Sequence, residues 1–404
     1  MPDQHTDKHV TSAFLGSNPT SCAQPSVNEF ICLLTDDRVE ADHLSASIRF
    51  SAITSANIYS STFRLASRAR SETVCFFKSF SCTLSRRRTN CEEENMAELV
   101  NGFDVSIVDE KALKIRTTGV DIAFQRLGKA DTPVVLLIMG VAGQSIHWPD
   151  GFCHALVERG LQVIRFDNRD AGLSTHVIDA PPPDLPAALA GDFKSVSYTL
   201  SDMAADAVGL LDALGIGRVH VVGASMGGQI AQTMAIEHPD RIFSLTSMMS
   251  TTGNIAVGQP SREALRDLFT GPPAVTRDEV IQQSLRAMRA IGSPGYPSDE
   301  KEVAARAGRA YDRAYDPIGS ARQAIATVAS GDRTERLRHL QVPTLVIHGL
   351  ADRMCDASGG RATANAIPGA ELVLIEGMGH DLPPGLRSQL AMCIANFVLR
   401  VEGH

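Results

Sequence analysis

Short apolar runs alternate with helix-length amphipathic stretches from about residue 110 onward. That alternation predicts an α/β architecture, a mostly parallel sheet with helices on both faces. Lys111–Arg116 and Val120–Leu127 read as a hairpin of opening strands. Pro133–Met139, PVVLLIM, is a continuous apolar run of the kind a strand buried on both faces needs. Leu161–Phe166 and Val219–Gly223 read as further core strands, each after a helix pattern. In the second of these patterns Met203, Ala207, Leu210, Leu211 and Leu214 fall on one face. Ile242–Met248, Pro343–His348 and Glu371–Glu376 complete an eight-stranded sheet, the first pair antiparallel and the rest parallel. Between Ser250 and about Asp332 the alternation stops, and helical stretches are separated by Gly-Pro-Pro, Gly-Ser-Pro-Gly-Tyr-Pro and Asp-Pro-Ile-Gly breakers. This insertion after the sixth strand predicts a helical cap over about 250–332.

Upstream of Met96 the pattern is absent. The segment is dense in Ser, Thr and Arg, with isolated apolar pieces such as Phe-Ile-Cys-Leu-Leu. Such a composition buries too little surface to offset its ordering entropy. Residues 1–95 are therefore read as a disordered, non-catalytic extension, and 96–404 as the folded unit. His43–Ser71 is free of acids, as organelle transit peptides are, but it lies far from the N-terminus.

Composition narrows the function. The chain has 404 residues, 44% hydrophobic and 21% charged, with a net charge of −8, which gives nucleic acid no basic footprint. No apolar run has the length of a membrane span, and the first residues lack a secretory pattern, so a cytoplasmic protein is expected. Five of eight cysteines lie in the first 95 residues, with no Cys-X-X-Cys pair and no zinc spacing. Reduced thiols and no metal site follow. No Gly-X-Gly-X-X-Gly follows an early strand, so no dinucleotide is implied and no cofactor is expected. Nothing in the pattern sets an oligomeric state.

The chemistry concentrates at strand ends. Gly223-Ala224-Ser225-Met226-Gly227 matches Gly-X-Ser-X-Gly. The five letters alone arise by chance, but here they sit between a strand and a helix, the context that raises a serine hydroxyl above a sheet edge. A serine needs a base, and His380 stands in the Gly377–Pro383 loop after the last strand, on the same side of the sheet. His220 lies within a strand and His238 at a helix end, so neither competes. Asp352, four residues beyond Pro343–His348, is the acid that would orient the base, with Asp356 as runner-up. The oxyanion donors would be the backbone N–H groups of Met226, next to the nucleophile, and Val141, in the Met139–Gln144 loop.

With these residues placed, residues from about 110 to 404 resemble the α/β-hydrolase fold family throughout. Asp167–Ser174, DNRDAGLS, is similar to that family's D-x-R-G-x-G-x-S loop, with Asp170 in place of the usual glycine, and is read as a structural brace. Met139-Gly140 stands where His-Gly is common. These features are similar to a branch of bacterial serine esterases such as aclacinomycin methylesterase. The resemblance implies a carboxylic-ester hydrolase acting on a small, moderately apolar substrate through an acyl-enzyme. Lactonases, perhydrolases and carbon–carbon bond hydrolases share these residues. Epoxide hydrolases and dehalogenases need a carboxylate where Ser225 stands, and a non-enzymatic binding protein would be expected to lack a member of the set.

Overall fold

The computed structural model describes residues 109–403, apart from Leu113, Arg116 and 270–272. The expected extension over 1–95 and the boundary at Met96 lie outside the described residues.

Eight strands form one sheet: β1 (Glu110–Ala112), β2 (Ile122–Leu127), β3 (Val134–Ile138), β4 (Gln162–Phe166), β5 (Val219–Ala224), β6 (Ile242–Met248), β7 (Thr344–Gly349) and β8 (Glu371–Ile375). Their spatial order is β1-β2-β4-β3-β5-β6-β7-β8. Neighbours from β4 through β3 to β8 pair in parallel, and β2 pairs antiparallel with both β1 and β4. β1 is shorter than its sequence pattern and begins one residue earlier. Lys114 turns into positive φ and Ile115–Val120 close a loop, so pairing is confined to Glu110–Ala112. An edge strand has one partner only, and little resists such fraying.

The helices are α1 (Asp150–Val157), α2 (Leu185–Leu189), α3 (Leu200–Ala213), α4 (Met226–Glu237), α5 (Arg262–Phe269), α6 (Arg277–Ile291), α7 (Glu300–Arg313), α8 (Pro317–Ala329), α9 (Thr334–Leu337), α10 (Ser358–Ala366) and α11 (Arg387–Glu402). Successive side chains of a strand point to opposite faces, and the core divides accordingly. Val135 and Leu137 of β3 pack in one cluster with Phe152 and Leu156 of α1 and Leu390 and Ile394 of α11. Leu136 and Ile138 join the other, with Leu210 of α3, Ile230 of α4 and Ala326 of α8. Cutting any of these leucines to alanine would cost roughly 2–5 kcal/mol.

Between β6 and β7 the chain is helical from α5 to α8, as the breakers predict. Thr276 and Glu279 form a capping box at the start of α6, and Asp316 caps α8 ahead of Pro317. Strand order reverses at β3, whose carboxyl end lies beside that of β5. In open α/β sheets this switch point leaves a crevice above the strand ends. Among the described residues no helix is long and apolar enough to cross a membrane.

Candidate active site

β5 ends at Ala224, α4 begins at Met226, and Ser225 alone makes the turn at φ +58° and ψ −124°. This left-handed region disfavours side chains and costs of order 1–3 kcal/mol. Its surroundings hold it there. Ser225 N–H donates to Met248 O (3.0 Å), and Ser225 O accepts from Ser250 Oγ (2.8 Å) and Gly228 N–H (2.9 Å). The flanking glycines are steric requirements. A Cβ on Gly223 would strike the Gly227 carbonyl, and one on Gly227 the Ile138 carbonyl.

The structure brings Ser225, His380 and Asp352 into one hydrogen-bonded run. His380 Nε2 lies 3.1 Å from Ser225 Oγ, and Nδ1 lies 2.7 Å from Asp352 Oδ2. Asp352 Oδ1 accepts the N–H groups of Met354 (2.9 Å) and Cys355 (2.8 Å). Burial of this side chain favours its neutral form, but the His380 ring, His348 and the Cys355 N–H outweigh that and hold it far below the usual carboxylate range. An ionised carboxylate only accepts, so His380 Nδ1–H donates to Asp352 and the other ring nitrogen, Nε2, faces the serine hydroxyl. Asp356 goes elsewhere, accepting from Ser358 N–H (2.8 Å) and Gln259 N–H (3.1 Å).

Two supports of this run are absent from the sequence reading. His348, fully buried at the end of β7, bonds Cys355 O through Nε2 (2.7 Å) and lies 3.5 Å from Asp352 Oδ2. Its place four residues before Asp352 is the signal that could have found it. The second support is the segment after α6. Ile291 O accepts His380 N–H (2.7 Å), Ser293 Oγ accepts Gly379 N–H (2.8 Å), and Asp381 bonds the hydroxyls of Ser293 and Ser298. Burial pushes the Asp381 carboxyl up.

The loop after β3 crosses directly over the serine. A Cβ on Gly140 would lie 3.0 Å from Ser225 Cβ and 3.3 Å from the Ala224 carbonyl oxygen, so a larger residue there would press on the serine's Cβ and on the peptide that precedes it. The following N–H groups are engaged one after another. Ala142 donates to Gln323 Oε1 (2.8 Å), Gly143 to Gly140 O (3.1 Å), Gln144 to His147 Nδ1 (2.9 Å) and Ser145 to Asp167 Oδ1 (2.6 Å). Burial, with Arg306 nearby, lowers His147 to about 4, so it accepts that bond as a neutral ring. Val141 and Met226, by contrast, have N–H groups with no acceptor among the described residues.

The Asp167–Ser174 loop is braced throughout. Buried Asp167 also accepts from Arg313 (2.6 Å) and from Leu173 N–H (2.9 Å). Asp170, at φ +62°, takes Arg322 Nε (2.8 Å) and Tyr198 OH (2.7 Å). Ligand atoms of Asp170, His176 and Asp316 fall within 4.8 Å of one another, the spacing a metal could use. Arg322 already neutralises that carboxylate, and His176 Nδ1 meets Asp316 Oδ2 at 2.7 Å, so the group works as a charge-paired brace. Of the insertion's tyrosines, Tyr311 and Tyr315 donate to the carbonyls of Val275 (3.1 Å) and Ala274 (2.7 Å), within the insertion itself. Tyr296 packs instead on the loop around Gly385.

Comparisons with known proteins bear on the family and the fold. A family profile described as the alpha/beta hydrolase fold matches residues 133–383. The chain is 32% identical over 289 residues to rhodomycin D methylesterase of Streptomyces peucetius, spanning 66% of this chain and 90% of that protein. It is 30% identical over 289 residues, with the same coverage, to the rhodomycin D methylesterase of Streptomyces sp. (strain C5). Among solved structures, the enol-lactonase from Burkholderia xenovorans LB400 superposes with a TM-score of 0.56 at 22% identity. That likeness covers 72% of this chain and all of the other, and is one of fold.

Proposed function

The chain belongs to the α/β-hydrolase fold family, and from that premise we propose that it is a carboxylic-ester hydrolase working through an acyl-enzyme on Ser225. The observation that carries this reading is the run Ser225–His380–Asp352, with Nε2 3.1 Å from Oγ and Nδ1 2.7 Å from the carboxylate. Identity of 32% to a methylesterase supports a carboxylic ester as the bond cleaved.

Ser225 Oγ attacks the ester carbonyl carbon while His380 Nε2 accepts its proton. The carbonyl oxygen takes the displaced electron pair and is held by the N–H groups of Val141 and Met226. The tetrahedral adduct collapses, the alcohol leaves with the proton from His380, and the acyl group remains on Ser225. Water then attacks, its proton passing to His380 and on to Ser225 Oγ as the acid departs. Asp352 stays ionised throughout and stabilises the imidazolium at each stage. Every proton in these steps comes from the chain, the ester or water. Residues 96–404 form the hydrolase unit in this reading, with the insertion over about 250–332 as its cap and a small, moderately apolar ester as its substrate.

Replacing Ser225 by alanine is expected to lower kcat on short-chain p-nitrophenyl esters by on the order of 10⁴ or more. A fluorophosphonate should label the native protein at Ser225 and leave the variant unlabelled. Near-native esterase activity in Ser225→Ala would remove the serine from the mechanism. A panel of acyl chain lengths, lactones and amides then narrows the substrate.

A further inference from the structure

We propose that Gln323 is a positioning residue for the oxyanion hole, fixing the Val141 N–H from the helical insertion. The inference rests on the reading of Ser225 and Val141 given above. Gln323 lies on α8, 181 residues from Ala142 in the loop after β3, and its side chain is fully buried. Its Oε1 accepts Ala142 N–H at 2.8 Å, and its Nε2 donates to Arg169 O at 2.7 Å. Both partners are backbone groups, one a donor and the other an acceptor, so the carboxamide has one satisfied orientation only.

Peptide planarity carries this contact to the reacting centre. The Gly140 carbonyl and the Val141 N–H share one peptide plane and point in opposite directions. Gly143 N–H holds that carbonyl at 3.1 Å, so the Val141 N–H is turned the other way. Gln323 holds the next plane along, that of Val141 and Ala142, and thereby fixes the second dihedral flanking Val141. Ala142 sits at φ +60°, a conformation an alanine does not keep unaided. Gln323 also occupies the neighbouring N–H, leaving Val141 as the free donor of the turn. The helix that carries it is itself anchored, since the adjacent Arg322 bonds buried Asp170 at 2.8 Å. A donor held this firmly needs no reorganisation as charge develops on the carbonyl oxygen, the property that makes such a group effective.

The test uses the full chain with Gln323→Met, a near-isostere that loses both bonds, and Gln323→Glu, which keeps an acceptor for Ala142 but loses the donor to Arg169. Four quantities are read: kcat and KM on p-nitrophenyl butyrate, inhibition by a trifluoromethyl ketone, and thermal melting. The ketone forms a hemiketal on a serine and places an oxyanion in the hole. Gln323→Met should lose about 10- to 100-fold in kcat/KM, carried by kcat, and weaken the ketone by the same factor. Gln323→Glu should lose less, with the same parallel between kcat and inhibition. Should Gln323→Met fail to fold, that parallel in Gln323→Glu alone decides the matter. The proposal is overturned if a folded variant keeps native kcat and native ketone inhibition, if the loss falls on KM alone, or if Glu is as damaging as Met. A native protein that no fluorophosphonate labels at Ser225 would instead bring down the underlying serine mechanism.

Discussion

Ser225 occupies a conformation that glycine would adopt more readily, at φ +58°, and the chain accepts that strain to hold one hydroxyl in place. Ser225→Gly should therefore be more stable than Ser225→Ala by about 1 kcal/mol, with both inactive. Urea unfolding of the two variants measures the difference, and equal midpoints would mean that the turn is unstrained. At the same scale, the charge on Asp352 sets its own pH window. Its folded pKa is depressed, so its contribution to stability is present above the ordinary carboxylate range and is lost as pH falls through the lower folded value. Over the range where esters are assayed, this carboxylate does not change state. These three side chains were legible in the sequence because each stands just beyond a strand, and their chain order is Ser, Asp, His. Gln323 was not legible. A glutamine inside an amphipathic helix carries no mark of a backbone N–H that lies 181 residues away.

Elements meet through pairs of this kind, and the link between the segment after β4 and the start of α8 can be titrated. Burial disfavours a charged His176, but the Gly172 carbonyl and the Asp316 carboxylate outweigh it, so its pKa is raised. A raised histidine pKa gives stability that is fully present below the unfolded value and is lost as pH rises through the folded one. His176→Gln should accordingly lower Tm by about 1–3 °C at pH 5.5 and by clearly less at pH 9. A pH-independent deficit would show that the charge contributes nothing. The strands of the sheet centre were readable because they are buried on both faces: β3 is an unbroken apolar run, and β4, β5 and β7 keep a mostly apolar pattern around a few buried polar residues such as Arg165, His220 and His348. β1 pairs on one side only, and its end is set by the turn at Lys114, which no hydrophobic pattern records.

Across the whole molecule the site is assembled from five strand ends and an insertion that holds three of the loops following them. The insertion holds the His380 loop through Ile291 and Ser293, the β3 loop through Gln323, and the loop after β4 through Arg313 and Arg322. The break in alternation after Ser250 revealed that an insertion exists. It did not reveal these contacts, because they are made between residues more than 80 positions apart whose pairing only the folded chain brings about. The central claim is the covalent step, and trapping it tests the account most directly. Acid quenching during turnover of p-nitrophenyl acetate, followed by peptide mass spectrometry, should find an acetyl group on the peptide that contains Ser225, with an early release of about one nitrophenolate per enzyme. An acetyl group on another residue, or undiminished turnover in Ser225→Ala, would contradict the account.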